Sequence, residues 1–256
     1  MRGYTLLAAC ALAGCQFRVD GSGAAPLAGA DLAPTGADLA LTSDPPDLLP
    51  TAPDLTPPPD LTPPSELVVT VAPASGSVDL TQIGTIDWAH YGFTNATSFD
   101  DKASGGQRIS TLTPLANSGA QMQFTASAMQ FTWSDGATGT GHTATATNSA
   151  TDVFVTSGGQ TLTVPASPTR QRLIVYVGLA AVSGKLDVAL SDKSQPPYTN
   201  TQTPTDMADH GFAYTIDFAA NSPGQTLTVT WSVAVAVTSF GAGIASAALT
   251  TPPPSK

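Results

Sequence analysis

The segment from Asp87 to Phe93, with the sequence Asp-Trp-Ala-His-Tyr-Gly-Phe, holds the densest group of residues that could do chemistry. On a β-strand, side chains alternate between two faces, so Trp88 and His90 would point to one side and Tyr91 to the other. An aromatic ring packs on the apolar face of a sugar while polar neighbours hold its hydroxyls. These three residues are therefore candidate carbohydrate contacts. The alternative is a core tryptophan with a histidine hydrogen-bonded beneath it.

Two further candidates lie beside turns. Trp133 ends an apolar strand pattern just before the turn pair Asp135-Gly136, where it could stack on a ligand or belong to the core. Asp192 lies in a polar loop, Leu-Ser-Asp-Lys-Ser, that follows an apolar strand. It could cap backbone N–H groups, or it could ligate a cation. A lone aspartate is a weak metal candidate because calcium takes six to eight oxygen ligands.

Catalytic patterns are missing from the sequence. The three histidines share no metal-ligand spacing, no Gly-x-Ser-x-Gly elbow is present, and the single glutamate, Glu66, stands at the edge of the domain. The pair Asp100-Asp101 is interpreted as solvated. We therefore expect a non-enzyme without a cofactor. A hydrolase remains the alternative, and it would need two carboxyl groups about 5–9.5 Å apart in a cleft.

Composition restricts the function further. The formal net charge of −10 argues against nucleic-acid binding, which needs clustered Lys and Arg to neutralise phosphates. Both cysteines, Cys10 and Cys15, fall within the first fifteen residues. The remaining chain therefore has no disulfide, no thiolate nucleophile and no cysteine-based zinc site.

The amino terminus has the pattern of a secretory signal: a positive charge at Arg2 and an apolar run that ends at Gly14. Leu-Ala-Gly-Cys at residues 12–15 resembles the lipobox of bacterial lipoproteins, as does the less favoured Leu-Ala-Ala-Cys ending at Cys10. The resemblance implies that residues 1–14 are removed and that Cys15 is acylated, as with palmitate, and anchors the chain to a membrane. In such lipoproteins an aspartate directly after the acylated cysteine resembles a signal for retention in the inner membrane. This chain has Gln16 there, so we expect the outer membrane. An unlipidated signal peptide is the alternative, and no transmembrane helix is predicted.

Residues 15–65 are predicted to form a disordered stalk. Asp-Leu recurs five times, separated by Pro, Ala and Thr, and isolated leucines bury too little apolar surface to offset the ordering entropy. A polyproline chain of about 50 residues reaches about 150 Å, so the segment suits a spacer that lifts a domain from the membrane. A proline-rich docking ligand is the alternative.

Residues 66–250 show the period-2 alternation of strands, clearest where Leu227, Val229 and Trp231 alternate with threonine and serine. About ten strands and no amphipathic helix predict an all-β fold: a two-sheet antiparallel sandwich, as in a jelly roll. The apolar run 173–177 is placed centrally, and Trp231 in the core. Residues 153–155 and 162–164 are predicted to form a hairpin around Ser157-Gly158-Gly159. Residues 251–256 are expected to be a disordered tail.

Several short motifs resemble a recurrent module of bacterial exported proteins, similar to galactose-binding-type jelly rolls. They include Gly-Thr-Ile-Asp-Trp-Ala-His-Tyr-Gly at 84–92, Phe-Thr-Trp-Ser-Asp-Gly at 131–136 and Leu-Thr-Val-Thr-Trp at 227–231. The resemblance spans about residues 80–250 and implies a module of the kind that often accompanies carbohydrate-active or repeat-rich extracellular domains, but it does not identify a ligand. From the candidate residues themselves, we expect a non-catalytic module of the cell envelope with carbohydrate as its ligand. The alternative is a structural or adhesion protein that binds another envelope protein through a sheet edge.

Overall fold

The computed structural model describes residues 65–105, 107–235 and 241–254, which form sixteen strands and one short helix. In chain order, these are β1 Glu66–Ala74, β2 Gly76–Asp79, α1 Leu80–Ile83, β3 Asp87–Tyr91, β4 Phe99–Asp101, β5 Thr113–Pro114, β6 Met122–Phe124, β7 Met129–Trp133, β8 Ala146–Ser149, β9 Asp152–Val155, β10 Gly159–Ala166, β11 Gln171–Ala180, β12 Ser183–Leu190, β13 Tyr198–Gln202, β14 Asp209–Ala219, β15 Gln225–Val235 and β16 Ala242–Thr250.

Side-chain alternation explains the long strands. In β15, Leu227, Val229 and Trp231 are at most 1% exposed, while the threonines between them are partly exposed. Such a strand covers a core with one face and meets water with the other. Its antiparallel neighbours are β10 and β12, and the five-stranded sheet has the order β13-β12-β15-β10-β5.

The second sheet has eight strands, in the order β1-β14-β11-β16-β3-β4, and β9 adds to β16 with β6 beside it. The pairs in this sheet are antiparallel. The main core lies between the five-stranded and eight-stranded sheets. The chain passes from β11 to β12 and from β14 to β15, crossing between the sheets each time as in a jelly roll.

A third layer covers the outer face of the eight-stranded sheet. This layer consists of α1 and a three-stranded sheet with the strand order β2-β7-β8, in which β2 and β7 are parallel. Asp79 caps α1 by accepting a hydrogen bond from the Gln82 backbone N–H, and the helix stops after one turn at Gly84. A second core forms beneath this layer, where Phe131 of β7 packs on Tyr176 of β11.

The all-β class and the antiparallel sandwich are confirmed, and β11 is central as expected, between β14 and β16. Trp231 is in the core. The hairpin around Ser157-Gly158-Gly159 is wrong, because β9 belongs to the eight-stranded sheet and β10 to the five-stranded sheet. That turn carries the chain from one sheet to the other. The third sheet was not predicted.

The predicted signal peptide, the lipidation of Cys15 and almost all of the predicted stalk lie outside the described residues. Within the described residues, no helix has the length and apolar character needed to cross a membrane.

Candidate functional site

The four aromatic and histidine side chains predicted to contact a ligand are inside the protein, which corrects that prediction. Trp88 and His90 are 0% exposed, and Tyr91 and Trp133 are 2% exposed. Trp88 and His90 do point to the opposite side from Tyr91, as the alternation required. Both faces of β3 are covered, however, so none of the four forms a surface platform for a sugar.

Trp88 and Trp133 pack together under the third layer, with ring centroids 5.4 Å apart. The Trp88 indole N–H donates to Asp135 Oδ1 at 2.9 Å, and the Thr81 hydroxyl donates to the same oxygen at 2.7 Å. The Lys102 ammonium forms an ion pair with the other oxygen of Asp135. Asp135 therefore joins α1, β3 and the segment after β4, and its function is structural.

His90 lies in an aromatic cage formed by Phe93, Phe131 and Trp133, with ring centroids 5.0 to 6.3 Å away. Its Nε2 is 2.9 Å from the Ser149 hydroxyl. Burial lowers the pKa of His90 to about 3, so the imidazole is neutral at physiological pH. This is the hydrogen-bonded core histidine of the alternative interpretation.

Tyr91 faces the main core, where its hydroxyl donates to the Ser110 carbonyl oxygen at 2.8 Å. Burial raises the pKa of Tyr91 well above its ordinary value. This side chain fastens the loop after β4 to β3, and it also lines the second of the two concavities described below.

Asp192 caps backbone donors. Its Oδ1 accepts from the Ser194 N–H at 3.1 Å, and its Oδ2 accepts from the Asn221 N–H at 2.8 Å. Partial desolvation acts to raise the pKa of Asp192, but these hydrogen bonds outweigh it and lower the pKa. Each oxygen accepts a backbone hydrogen bond, which is the capping role that the sequence analysis considered, and the weak cation candidate at Asp192 stays a prediction.

A polar concavity that is open to solvent lies between the β3–β4 loop and the loop after β7. We call it the loop groove. It is lined by hydroxyls, an amide, an imidazole and one aromatic ring, from Thr94, Asn95, Thr97, Ser98, Phe99, Thr140, Gly141 and His142. A second concavity shares Thr97, Ser98 and Phe99 with it. The β3–β4 loop therefore contributes residues to two concavities.

His142 is held at the groove by a buried carboxylate. Its Nδ1 lies 3.1 Å from Asp101 Oδ1, an ion-pair distance without hydrogen-bond alignment. Asp100 accepts a 2.6 Å hydrogen bond from the Thr143 N–H, which fixes the loop that carries His142. Burial raises the pKa of Asp100, although this bond acts in the opposite direction. Asp100 and Asp101 are 1% and 2% exposed, so their interpretation as solvated residues is wrong.

The other wall of the groove is a rigid loop. The Thr94 N–H donates to the Ser98 hydroxyl at 3.0 Å, and the Thr97 N–H donates to Asn95 Oδ1 at 2.9 Å. The Ser98 N–H closes the turn on the Asn95 carbonyl at 3.1 Å. These bonds fix the loop, while Thr94, Asn95 and Thr97 remain exposed at the surface.

Sequence reasoning missed Asn95, Thr97 and His142. The available signal was weak: a cluster of turn residues in each of two loops that are more than 40 positions apart in the chain. The pairing of β3 with β4, the short bridge of Lys102 with Gly136 and the hydrogen bond from the Thr143 N–H to Asp100 bring these loops together.

The fold places this chain among all-β sandwich proteins. No model of a known protein family matches it, and no curated protein matches it. Among solved structures, it is similar to that of the carbohydrate-binding module TmCBM61 in complex with β-1,4-galactotriose. That similarity has a TM-score of 0.34 and 13% sequence identity, and it covers 59% of this chain and 91% of that chain. A likeness at this level carries no information about the site of this chain.

Proposed function

We propose that this chain is a cell-envelope lipoprotein whose sandwich is a non-catalytic carbohydrate-binding module with the loop groove as its binding site. The observation that carries the proposal is the lining of the groove: hydroxyls, the Asn95 amide and the His142 imidazole around a half-buried Phe99 ring. Sugars are recognised by such hydrogen-bonding groups together with an aromatic face.

The shape of the groove supports a glycan chain over a single sugar. Two concavities share the residues Thr97, Ser98 and Phe99, so several sugar units can bind around the same loop. The loop is already fixed by its own hydrogen bonds, so binding orders few groups. A preformed site lowers the entropic cost of association.

The anchor and the stalk remain part of the proposal. Acylation of Cys15 would fix the mature chain to the outer membrane, and residues 15–65 would hold the sandwich away from lipid headgroups. In this arrangement the groove reaches glycans of the envelope or of an external polymer.

The first experiment is a glycan array probed with the full-length protein, followed by calorimetric titration of the best ligand. We expect His142→Ala to weaken binding about two- to tenfold, since one hydrogen bond contributes about 0.5–1.5 kcal/mol. The matched control is His210→Ala, because His210 is partly exposed and outside the groove.

The proposal fails in either of two cases. No glycan binds the wild-type protein, or His142→Ala and His210→Ala bind alike. A non-catalytic module also returns its ligand unchanged, so chromatography of the recovered glycan must show no shortened products.

A second candidate function is protein binding at a sheet edge. Among the described residues, the nine-residue strand β1 ends the eight-stranded sheet and pairs with β14 alone, and Val68 is 51% exposed. Free strand edges accept an added strand from a partner. Cross-linking in intact cells through a photoreactive residue at position 68 tests this function. Protein binding at the β1 edge predicts that one dominant protein partner is captured.

A further inference from the structure

Two buried carboxyl groups lie directly behind the lining of the loop groove. Asp100 and Asp101 follow Phe99 of that lining in β4, and each is at most 2% exposed. A third buried carboxyl group, Asp87, lies farther along the paired strands β3 and β4. Burial raises the pKa of Asp87, and the nearby charge of Asp101 adds to this effect. The carboxyl groups are therefore close enough to act on one another.

The described residues neutralise Asp100 and Asp101 only in part. Asp100 accepts a hydrogen bond from the Thr143 N–H, but its Oδ2 has no hydrogen-bond partner in the described ranges, and neither oxygen of Asp101 has one. Within this part of the chain, His142 alone lies at an ion-pair distance from Asp101, with its Nδ1 3.1 Å from Oδ1. A single imidazolium can offset only one of two carboxylates. The two carboxyl groups and His142 together therefore carry no net positive charge at neutral pH.

The groove has no other source of positive charge in its described lining. Neither of the two concavities is lined by a lysine or an arginine. Lys102 directly follows Asp101, but its ammonium forms an ion pair with Asp135 and its side chain is only 10% exposed. The whole chain has a formal net charge of −10. The electrostatic potential in the loop groove is therefore negative.

We propose that the loop groove selects glycans without acidic groups, and that Asp100 and Asp101 are the source of this selectivity. The inference rests on the proposed function of the groove, whose ligand class it narrows. A neutral sugar meets the hydroxyls and the Asn95 amide without electrostatic repulsion, whereas a uronate brings a like charge toward the two carboxylates. A sugar with a free amine is attracted by the same field. Salt screens buried charges less than exposed ones, so this field persists in the groove.

The test compares oligosaccharides that differ in one group. Each neutral hexose oligomer is paired with its uronic acid form, oxidised at C6, and with a form that has a free amine at C2. We expect the full-length protein to bind the neutral form at least about tenfold more tightly than the uronate at about 20 mM NaCl. The amine form should bind at least as tightly as the neutral form. The difference between the neutral form and the uronate should shrink as NaCl is raised to about 0.5 M.

Two variants locate the source of the selectivity. Asp101→Asn removes one buried charge with little change in shape, and it is expected to narrow the difference between neutral form and uronate at least about threefold. The matched control is Asp187→Asn, which removes one charge from β12 on the five-stranded sheet, where Asp187 pairs with Lys185. Both variants lose the same charge from the whole chain, so the control must keep the wild-type ratio.

A measurement without glycan tests the potential itself. Two nitroxide probes, one cationic and one anionic, broaden the amide NMR signals of residues that they approach. In residues 94–99 and 140–143, the cationic probe should broaden the signals more than the anionic probe does. This preference should decline in Asp101→Asn and persist in Asp187→Asn.

Equal binding of the neutral form and the uronate by the wild type overturns the inference and leaves the proposed function intact. Equal ratios in Asp101→Asn and Asp187→Asn, or equal broadening by the two probes in the wild type, also overturn it. If no glycan binds at all, the proposed function fails and the selectivity fails with it. Should Asp101→Asn not fold, the wild-type salt dependence decides: a ratio that does not change with NaCl contradicts the inference.

Discussion

Replacement of Asp135 by alanine tests how the third layer is held to the sandwich. Asp135 accepts hydrogen bonds from Thr81 and Trp88 and pairs with Lys102, whose side chain is only 10% exposed. The substitution leaves the buried Trp88 N–H and the Lys102 ammonium without their partner. Removal of one member of a buried ion pair costs about 3–5 kcal/mol.

The Asp135 side chain is itself 30% exposed, so water screens the pair in part. We therefore expect a loss of about 3 kcal/mol in the free energy of unfolding, or about 6–12 °C in Tm for a domain of this size. Urea denaturation of the full-length protein measures the loss. The control is Asp187→Ala, which removes a surface pair with Lys185 and should cost less than about 1 kcal/mol. Equal losses in the two variants would refute the reasoning.

The Asp135 contribution should also depend on pH. Desolvation acts to raise the pKa of Asp135, but the hydrogen bonds from Lys102, Thr81 and Trp88 outweigh it and lower the pKa below 3.8. A carboxyl whose folded-state pKa is lowered stabilises the protein above its unfolded value and loses that effect as the pH falls. The difference between wild type and Asp135→Ala should therefore shrink below about pH 4.

Two further predictions concern the cores. Burial lowers the pKa of His90 from its ordinary value of 6.5 to about 3, so the stability of the protein should fall as the pH drops from about 6.5 to 3. His90→Gln should flatten that part of a plot of Tm against pH. An unchanged slope would contradict the burial argument. Gly184→Ala should lower the free energy of unfolding, measured by urea denaturation, by about 1–3 kcal/mol, because a Cβ atom there would lie 2.4 Å from the Trp231 ring. An unchanged free energy of unfolding would mean that the Trp231 ring does not pack against Gly184.

The strands of the main sandwich were predictable because each buries a single face. The alternation around Leu227 and Trp231 is a local property of the chain, and it survives in β15 without change. The order of strands is not local. The turn at Gly158 has the composition of a hairpin, yet it joins two different sheets, because the pairing partners of β9 and β10 are far away in the chain.

The candidate site could not be predicted for the same reason. Trp88 looked like a surface platform because the third layer that covers it is built from short strands, β2 and β8, with little periodicity. Asp101 and His142 are 41 positions apart, and neither stands in a recognisable motif. The burial of Asp101 and the direction of the loops depend on packing across the sheet, which composition does not encode.

Hydrogen–deuterium exchange of the full-length protein, with and without the glycan selected on the array, tests the central claim most directly. Binding in the loop groove predicts slower exchange in residues 94–99 and 140–143, with no change in β12, β13 and β15 on the far side of the sandwich. Protection confined to those three strands, or to the β1 edge, would contradict the account.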